Sequence, residues 1–349
     1  MRLERRSNTP LMLVLTAPLL AVLAALVLGS GLIALADVNP FTAYGHLVDG
    51  AFGSRLAITE TLTRATPLIL TGLAAAVAFR AKLWNIGGEG QFYVGALMTA
   101  WLGHSIVTFL PAPLAIAVLI AAGMFVGALL LAGPAYLRLR FGVDEVVTTL
   151  LLNFVVLLFI GLMIEGPLRD PLAFGWPQSV PVDRDLRLPD LVERSRLHVG
   201  LLVAIAAAGI VWLVLARTVF GMESKAAGLN PSAAAFAGVS LPKTLMMTAF
   251  LSGGLAGLAG TVEVLGVTGN VTTTLSPGFG YSGIVVAMLA ALHPAGVVVA
   301  AIFVATIFVG ADAMARATGV PSFIADVIMS VSLLCMLVAL LFTSYRIRR

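Results

Sequence analysis

Apolar residues in this chain come in long runs parted by short polar breaks, and the length of each run decides what it can be. A helix needs about 20 apolar residues to cross the hydrocarbon of a bilayer. Runs near that length cover residues 11–36, 57–79, 92–110, 114–137, 145–164, 199–215 and 245–265. The run at 281–292 is too short to span at about 1.5 Å per residue, and His293-Pro294 parts it from 295–310. A last run covers 323–342. The pattern predicts an all-α, polytopic helical membrane protein with about ten crossings. The first run exceeds the ~7–15 residues of a signal-peptide core, so it reads as an uncleaved helix.

The polar breaks set the orientation. Positive charge collects at Arg2, Arg5 and Arg6, at Arg80 and Lys82, at Arg138 and Arg140, at Arg217, Lys225 and Lys243, and at Arg346, Arg348 and Arg349. Basic residues favour the cytoplasmic side, so both termini are expected inside, in a plasma (inner) membrane. Residues 37–55 and 165–197 then face out. The second stretch holds five Arg, six acids and five Pro, which suits an ordered, non-helical loop with one short amphipathic turn at 191–196. The chain divides into an N-terminal helix and outer loop (1–56), a first repeat (57–164), an outer loop (165–198), a cytoplasmic loop (216–243) and a second repeat (244–343). In both repeats a long apolar helix, a glycine-broken polar stretch and a shorter apolar segment follow one another. The leading helices run in opposite directions, so the two broken-helix units form an inverted repeat, a transporter signature.

Composition narrows the classes. The chain has 349 residues, 60% hydrophobic and 11% charged, with a mean hydropathy of +1.04. Soluble domains carry about 25% charged residues. The net charge of +4 comes from the cytoplasmic flanks, so no nucleic-acid partner is implied. One cysteine, Cys335, excludes an intramolecular disulfide, and His46, His104, His198 and His293 lack metal-ligand spacing. No phosphate-binding G-x-x-x-x-G-K-[ST] loop is present, so ATP is not bound in the usual way. No cluster of acid, base or metal ligands supports a membrane enzyme, and no cofactor is expected. An ion-coupled secondary transporter needs ionisable groups near the midplane. Glu263, Asp312 and Asp326 instead lie near predicted helix ends, as interface or packing groups. Glu60 and Arg64, four apart, form a local ion pair near the outer interface.

Three stretches carry candidate chemistry. Residues 84–91 place three glycines beside Asn85, Glu89 and Gln91, and unwound backbone at membrane depth is tolerated only where it is buried or lines a cavity. That reading makes them path-lining. The alternative is a cytoplasmic turn with a solvated Glu89 and Trp84 as an interfacial anchor. Residues 270–281 offer Asn270, Thr272, Thr273, Ser276 and Phe279, hydroxyls and aromatics suited to a neutral, hydrogen-bonding solute with a flat apolar face. The alternative is an outer loop of turn residues. Residues 217–243 predict a short helix outside the membrane. Asn230-Pro231 is a start signal, the alanines favour helix, and Gly238 can end it.

The pattern Glu223-Ser-Lys-Ala-Ala-Gly228, Asn230-Pro-Ser-Ala-Ala234 and Ala237-Gly238-Val239 resembles the coupling loop of ABC-importer permeases. The branch it is most similar to carries nucleosides and simple sugars and works with a basic-membrane-protein-type binding lipoprotein. Lys82-Leu-Trp-Asn-Ile-Gly-Gly-Glu-Gly-Gln91, Ser252-Gly-Gly-Leu-Ala-Gly-Leu-Ala-Gly260 and Gly278-Phe-Gly-Tyr-Ser-Gly-Ile284 extend the resemblance over 55–345. It implies that Glu223, Lys225, Ala226, Gly228, Asn230, Ala233, Ala234 and Gly238 couple to an ABC ATPase subunit. It also implies a second permease subunit (paralogue or self) and an extracytoplasmic substrate-binding lipoprotein. Asn85, Glu89, Gln91, Asn270, Thr272, Thr273, Ser276 and Phe279 are then expected on the translocation path of a nucleoside or related neutral solute. A simple sugar is the alternative.

Overall fold

The computed structural model describes residues 2–5, 11–105, 109–319, 327, 330–331, 334–335, 338–339 and 345–348. They are helical apart from loops and two four-residue strands, β1 (Arg2–Arg5) and β2 (Tyr345–Arg348), which pair antiparallel with Arg2 opposite Arg348. The helices are α1 (Leu11–Leu35), α2 (Pro40–Phe52), α3 (Arg55–Arg80), α4 (Gly88–Ser105), α5 (Ala112–Phe141) and α6 (Glu145–Glu165), then α7 (Gly200–Arg217), α8 (Val219–Leu229), α9 (Pro231–Phe236), α10 (Leu241–Glu263), α11 (Phe279–Leu289) and α12 (Pro294–Thr318).

Among the described residues, 6 helices are long and apolar enough to cross a membrane: α3, α5, α6, α7, α12, and α10 with its extension to Thr268. The bent pair of α1 and α2 makes a seventh if taken as one span. The expected figure of about ten is not reached, for identifiable reasons. The first turn of α4 is Gly-Glu-Gly-Gln, which dilutes its hydropathy. α11 has 11 residues. The span expected at 323–342, with Asp326, falls mostly outside the described residues.

The chain forms two compact units. One comprises 1–64 and 303–349. Within it, residues 40–52, expected as an outer loop, form α2, bent 117° from the end of α1. Asn39 caps it by accepting the Phe41 N–H at 2.9 Å, with Pro40 in the first turn; this is the start signal that the sequence repeats at Asn230-Pro231. Ile33, Ala43, Ala311 and Met314 make its apolar core. Arg64 lies 3.9 Å from Glu60, as expected, but its shorter partner is Asp312 at 2.9 Å. Because α12 runs to Thr318, Asp312 sits within the helix rather than at its end.

The second unit, 65–302, is built around α10. Every residue from Ser252 to Glu263 is buried. Small residues let neighbouring helix backbones touch. A Cβ at Gly257 would fall on the Gly123 carbonyl of α5, one at Gly95 on the Gly257 carbonyl, and one at Gly260 on the Phe92 carbonyl of α4. The glycine-rich Ser252–Gly260 run is thus where three helices cross. The loop between α6 and α7 is anchored to the chain after α10. Val182 N–H donates to Gly269 O at 2.7 Å, Ser179 N–H to Val271 O at 2.9 Å, and Leu188 N–H to Leu265 O at 2.9 Å. Its helical turn lies at Arg184–Leu186, while 191–196 is a hydrogen-bonded non-helical turn.

Candidate functional site

The first candidate site begins where α3 stops. Leu83 N–H bonds to Ala78 O and Lys82 N–H to Phe79 O, each at 3.0 Å. This is the hydrogen-bond pattern that closes a helix through a left-handed residue, usually glycine. Here that residue is Lys82, at φ 52°. Arg138 holds the turn: its guanidinium donates to the Lys82 carbonyl at 2.8 Å and to Glu145 at 2.5 Å. Trp84 packs 4.8 Å from Phe79 and stays half-exposed, as an interfacial ring would.

Beyond the turn the break is short, because α4 starts at Gly88, four residues before the apolar run. Asn85 and Gln91 pair their amides reciprocally at 2.8 and 2.9 Å. The Asn85 amide also reaches the Ser252 hydroxyl at 3.1 Å, and Ser252 donates to the Ala74 carbonyl at 2.8 Å. Asn153 of α6 accepts the Gly90 N–H at 2.8 Å and donates to the Ile86 carbonyl at 2.9 Å and the Tyr281 hydroxyl at 3.1 Å. Asn85, Glu89 and Gln91 are at most 3% exposed. Glu89 is therefore not the solvated carboxylate of a cytoplasmic turn. It accepts the Gly280 N–H at 2.6 Å, so it caps the N-terminus of α11.

A second break lies between α10 and α11. The chain passes through a π-helical turn at Val264–Thr268 and leaves it at Gly269, φ 74°. Ser276 Oγ accepts the Gly278 and Phe279 N–H groups at 3.1 and 2.8 Å, starting α11. Phe279 is buried 6.0 Å from Phe92. A Cβ on Gly280 would fall on the Glu89 backbone, so α4 and α11 meet end to end, glycine to glycine. Ser276 and Phe279 thus join Glu89 in one cluster. Asn270, Thr272 and Thr273 lie further along the loop, with Thr273 exposed. Thr273 enters through its carbonyl, which accepts the Tyr93 hydroxyl at 2.8 Å, while that hydroxyl accepts the Ser276 N–H at 3.2 Å.

Tyr93 and Asn153 are the members the sequence pattern did not single out, while Tyr281 is the second aromatic of the 270–281 stretch. Asn153 had a signal: a lone amide inside an apolar helix needs a partner. On the loop side, His198 is buried, with Nδ1 accepting the Gly200 N–H at 3.0 Å and Nε2 without a partner among the described residues. Burial pushes its pKa down to about 4, against the pull of nearby Asp190.

The third candidate, the stretch expected to be one short helix, is two helices sharing one residue. Asn230 closes α8, its N–H bonding Ala226 O at 3.1 Å, and opens α9, its side chain accepting the Ala233 N–H at 3.1 Å. Gly238, at φ 89°, ends α9 through paired 3.0 Å bonds, Gly238 N–H to Ala235 O and Val239 N–H to Ala234 O. The two helices differ in exposure. Ala233 and Phe236 of α9 are exposed, Phe236 by 96%, while Ala234 is buried. In α8, Gly228 is buried, Glu223 and Ala226 are half-buried, and Lys225 is exposed.

Residues 57–340 match the family model described as branched-chain amino acid transport system / permease component. The chain belongs to this permease family. It is a multi-pass membrane protein and a transport permease. It is 34% identical to the guanosine ABC transporter permease protein NupP of Bacillus subtilis, over 92% of each chain. It is 34% identical to the nucleoside ABC transporter permease protein NupB of Lactococcus lactis, over 89% of this chain and 87% of that one. With the glucose ABC transporter permease protein TsgB13 of Haloferax volcanii it shares 33%, over 99% and 93%. No solved structure matches it.

Proposed function

We propose that this permease is the membrane subunit of an ATP-driven importer and forms the path for a nucleoside. Its partners are a separate ABC ATPase, a second permease subunit and an extracytoplasmic binding lipoprotein. The reading is carried by 34% identity along 92% of the chain to a guanosine permease. A simple sugar is the second reading, favoured by the 33% match to a glucose permease along 99% of the chain.

Glu89, Ser276 and Phe279, where two broken helices meet, line the path in the closed state, with Asn85 and Gln91 bracing them. Asn270, Thr272 and Thr273 lie at its outer mouth. The end-to-end meeting of α4 and α11 supports an inverted repeat of two broken units, and about ten crossings with both termini cytoplasmic follow from the runs and flanking charges. α9 is the docking knob, presenting Asn230, Ala233 and Phe236, with Lys225 beside it and Gly238 ending it. An exposed phenylalanine on a positively flanked loop suits a groove on a soluble partner. The test is co-purification. Phe236→Asp is expected to lose the ATPase subunit while the permease still inserts, and unchanged co-purification refutes the docking role. Uptake of labelled guanosine against labelled glucose separates the two substrate readings.

A further inference from the structure

We propose that Arg80, with Gly228 seated on its carbonyl, is the positioning joint that carries movement of the docking helix to the α3–α4 break. The proposal rests on the docking role of α9. It differs from a simple tilting of α7 and α10, the two helices that flank the loop.

The geometry is a clamp. A Cβ on Gly228 would fall on the Arg80 carbonyl oxygen and close on the Ala81 Cα, so the end of α8 bears on the last residue of α3 backbone to backbone. The side chain of the same arginine reaches the last turn of α7, donating to the Leu215 carbonyl at 3.2 Å. That carbonyl is where a Cβ on Gly221, in the first turn of α8, would fall. Arg80 therefore bears on α8 directly through its main chain under Gly228, and its side chain ties the end of α7, whose Leu215 carbonyl Gly221 also meets. Glu223 accepts the Thr244 hydroxyl of α10 at 3.3 Å.

Two features make this a transmitting contact. Glycine-on-carbonyl contacts have no side chain to bend, so displacement of α8 must move the backbone it touches. α9 is joined to α8 through the single residue Asn230, which caps both. Two residues beyond Arg80, the chain turns at Lys82 into the segment holding Asn85, and α4 then delivers Glu89 to the start of α11. Push on α9 is thus delivered to the break. The Arg80 Nε is buried with no partner among the described residues. This state leaves one donor for a second arrangement, as a two-position joint requires.

The test uses the full complex with its ATPase in liposomes, measuring guanosine and glucose uptake and ATP hydrolysis on one preparation. Arg80→Gln is expected to keep the ATPase bound and hydrolysing, and Gly228→Ala, on the coupling loop itself, is read beside it. Molecules of ATP spent per solute imported should rise several-fold, on the order of tenfold, the size of coupling changes made by residues that touch neither ligand. Arg80→Lys should recover part of the loss. An unchanged ratio, with both rates normal or both lowered together, overturns the joint. If Gly228→Ala fails to assemble, Arg80→Gln decides on the same ratio. Loss of ATPase binding in Phe236→Asp reports on docking alone, so the two ideas fail separately.

Discussion

At the residue scale, burial distinguishes Glu89 from an ordinary turn carboxylate. It is 3% exposed and caps α11 through Gly280. A carboxyl oxygen accepting a backbone N–H at a helix start satisfies a donor that the helix itself leaves unpaired. Glu89→Ala removes that cap. Uptake by this variant is expected to fall while ATPase co-purification stays normal, and wild-type uptake would return Glu89 to a passive role. His198 gives a prediction in pH. Its folded pKa of about 4 lies below the ordinary 6.5, so the unfolded segment binds the proton first as pH falls. The neutral, buried imidazole stabilises the anchored α6–α7 loop above about pH 6.5, and that contribution is lost toward about pH 4. Protection of amides in 185–200 from hydrogen exchange is expected to drop across this window. His198→Asn should flatten the dependence, and a variant with the same slope would show that another group titrates.

At the element scale, α10 decides how tightly the second unit closes. Its glycines stand where α4 and α5 come close enough for backbones to touch. Gly257→Ala puts a methyl on the Gly123 carbonyl. Overpacking of this kind costs about 1–3 kcal/mol, read as a lower unfolding temperature of the purified permease in detergent. Gly133, with nothing near its absent side chain, is the control expected to tolerate the same change. The Ser252–Gly260 run is visible in the sequence, but small residues abound in helical membrane proteins, so the run alone does not say which helices cross there. α2 was missed because its apolar run is short, although Asn39-Pro40 announced it. α9 was read correctly at both ends because its caps are local chemistry.

At the scale of the whole molecule, the two chain ends meet in a strand pair, Arg2 opposite Arg348. From the clustered Arg at both ends we propose that the two termini share the cytoplasmic side. Reporter fusions at either terminus are expected to be active only when the reporter works in the cytoplasm, and opposite results at the two ends would overturn the orientation. The charges inside the spans fit a conduit that borrows its energy. Arg64 and Asp312 satisfy one another at 2.9 Å, so they read as a structural pair. An ion-driven carrier would instead need a site free to load and release.

By itself the sequence determined that the chain is helical and membrane-embedded, and where α9 starts and stops. Each depends on short-range information: run length against bilayer thickness, flanking charge, and residues that cap their own helix. The tertiary structure alone decided that Glu89 is buried, that Asn153 and Tyr93 complete its surroundings, and that α8 is clamped on Arg80. Those facts depend on which backbone a glycine touches and which distant group takes a hydrogen bond. A buried polar side chain must be paired, but its own position in the chain does not say with what.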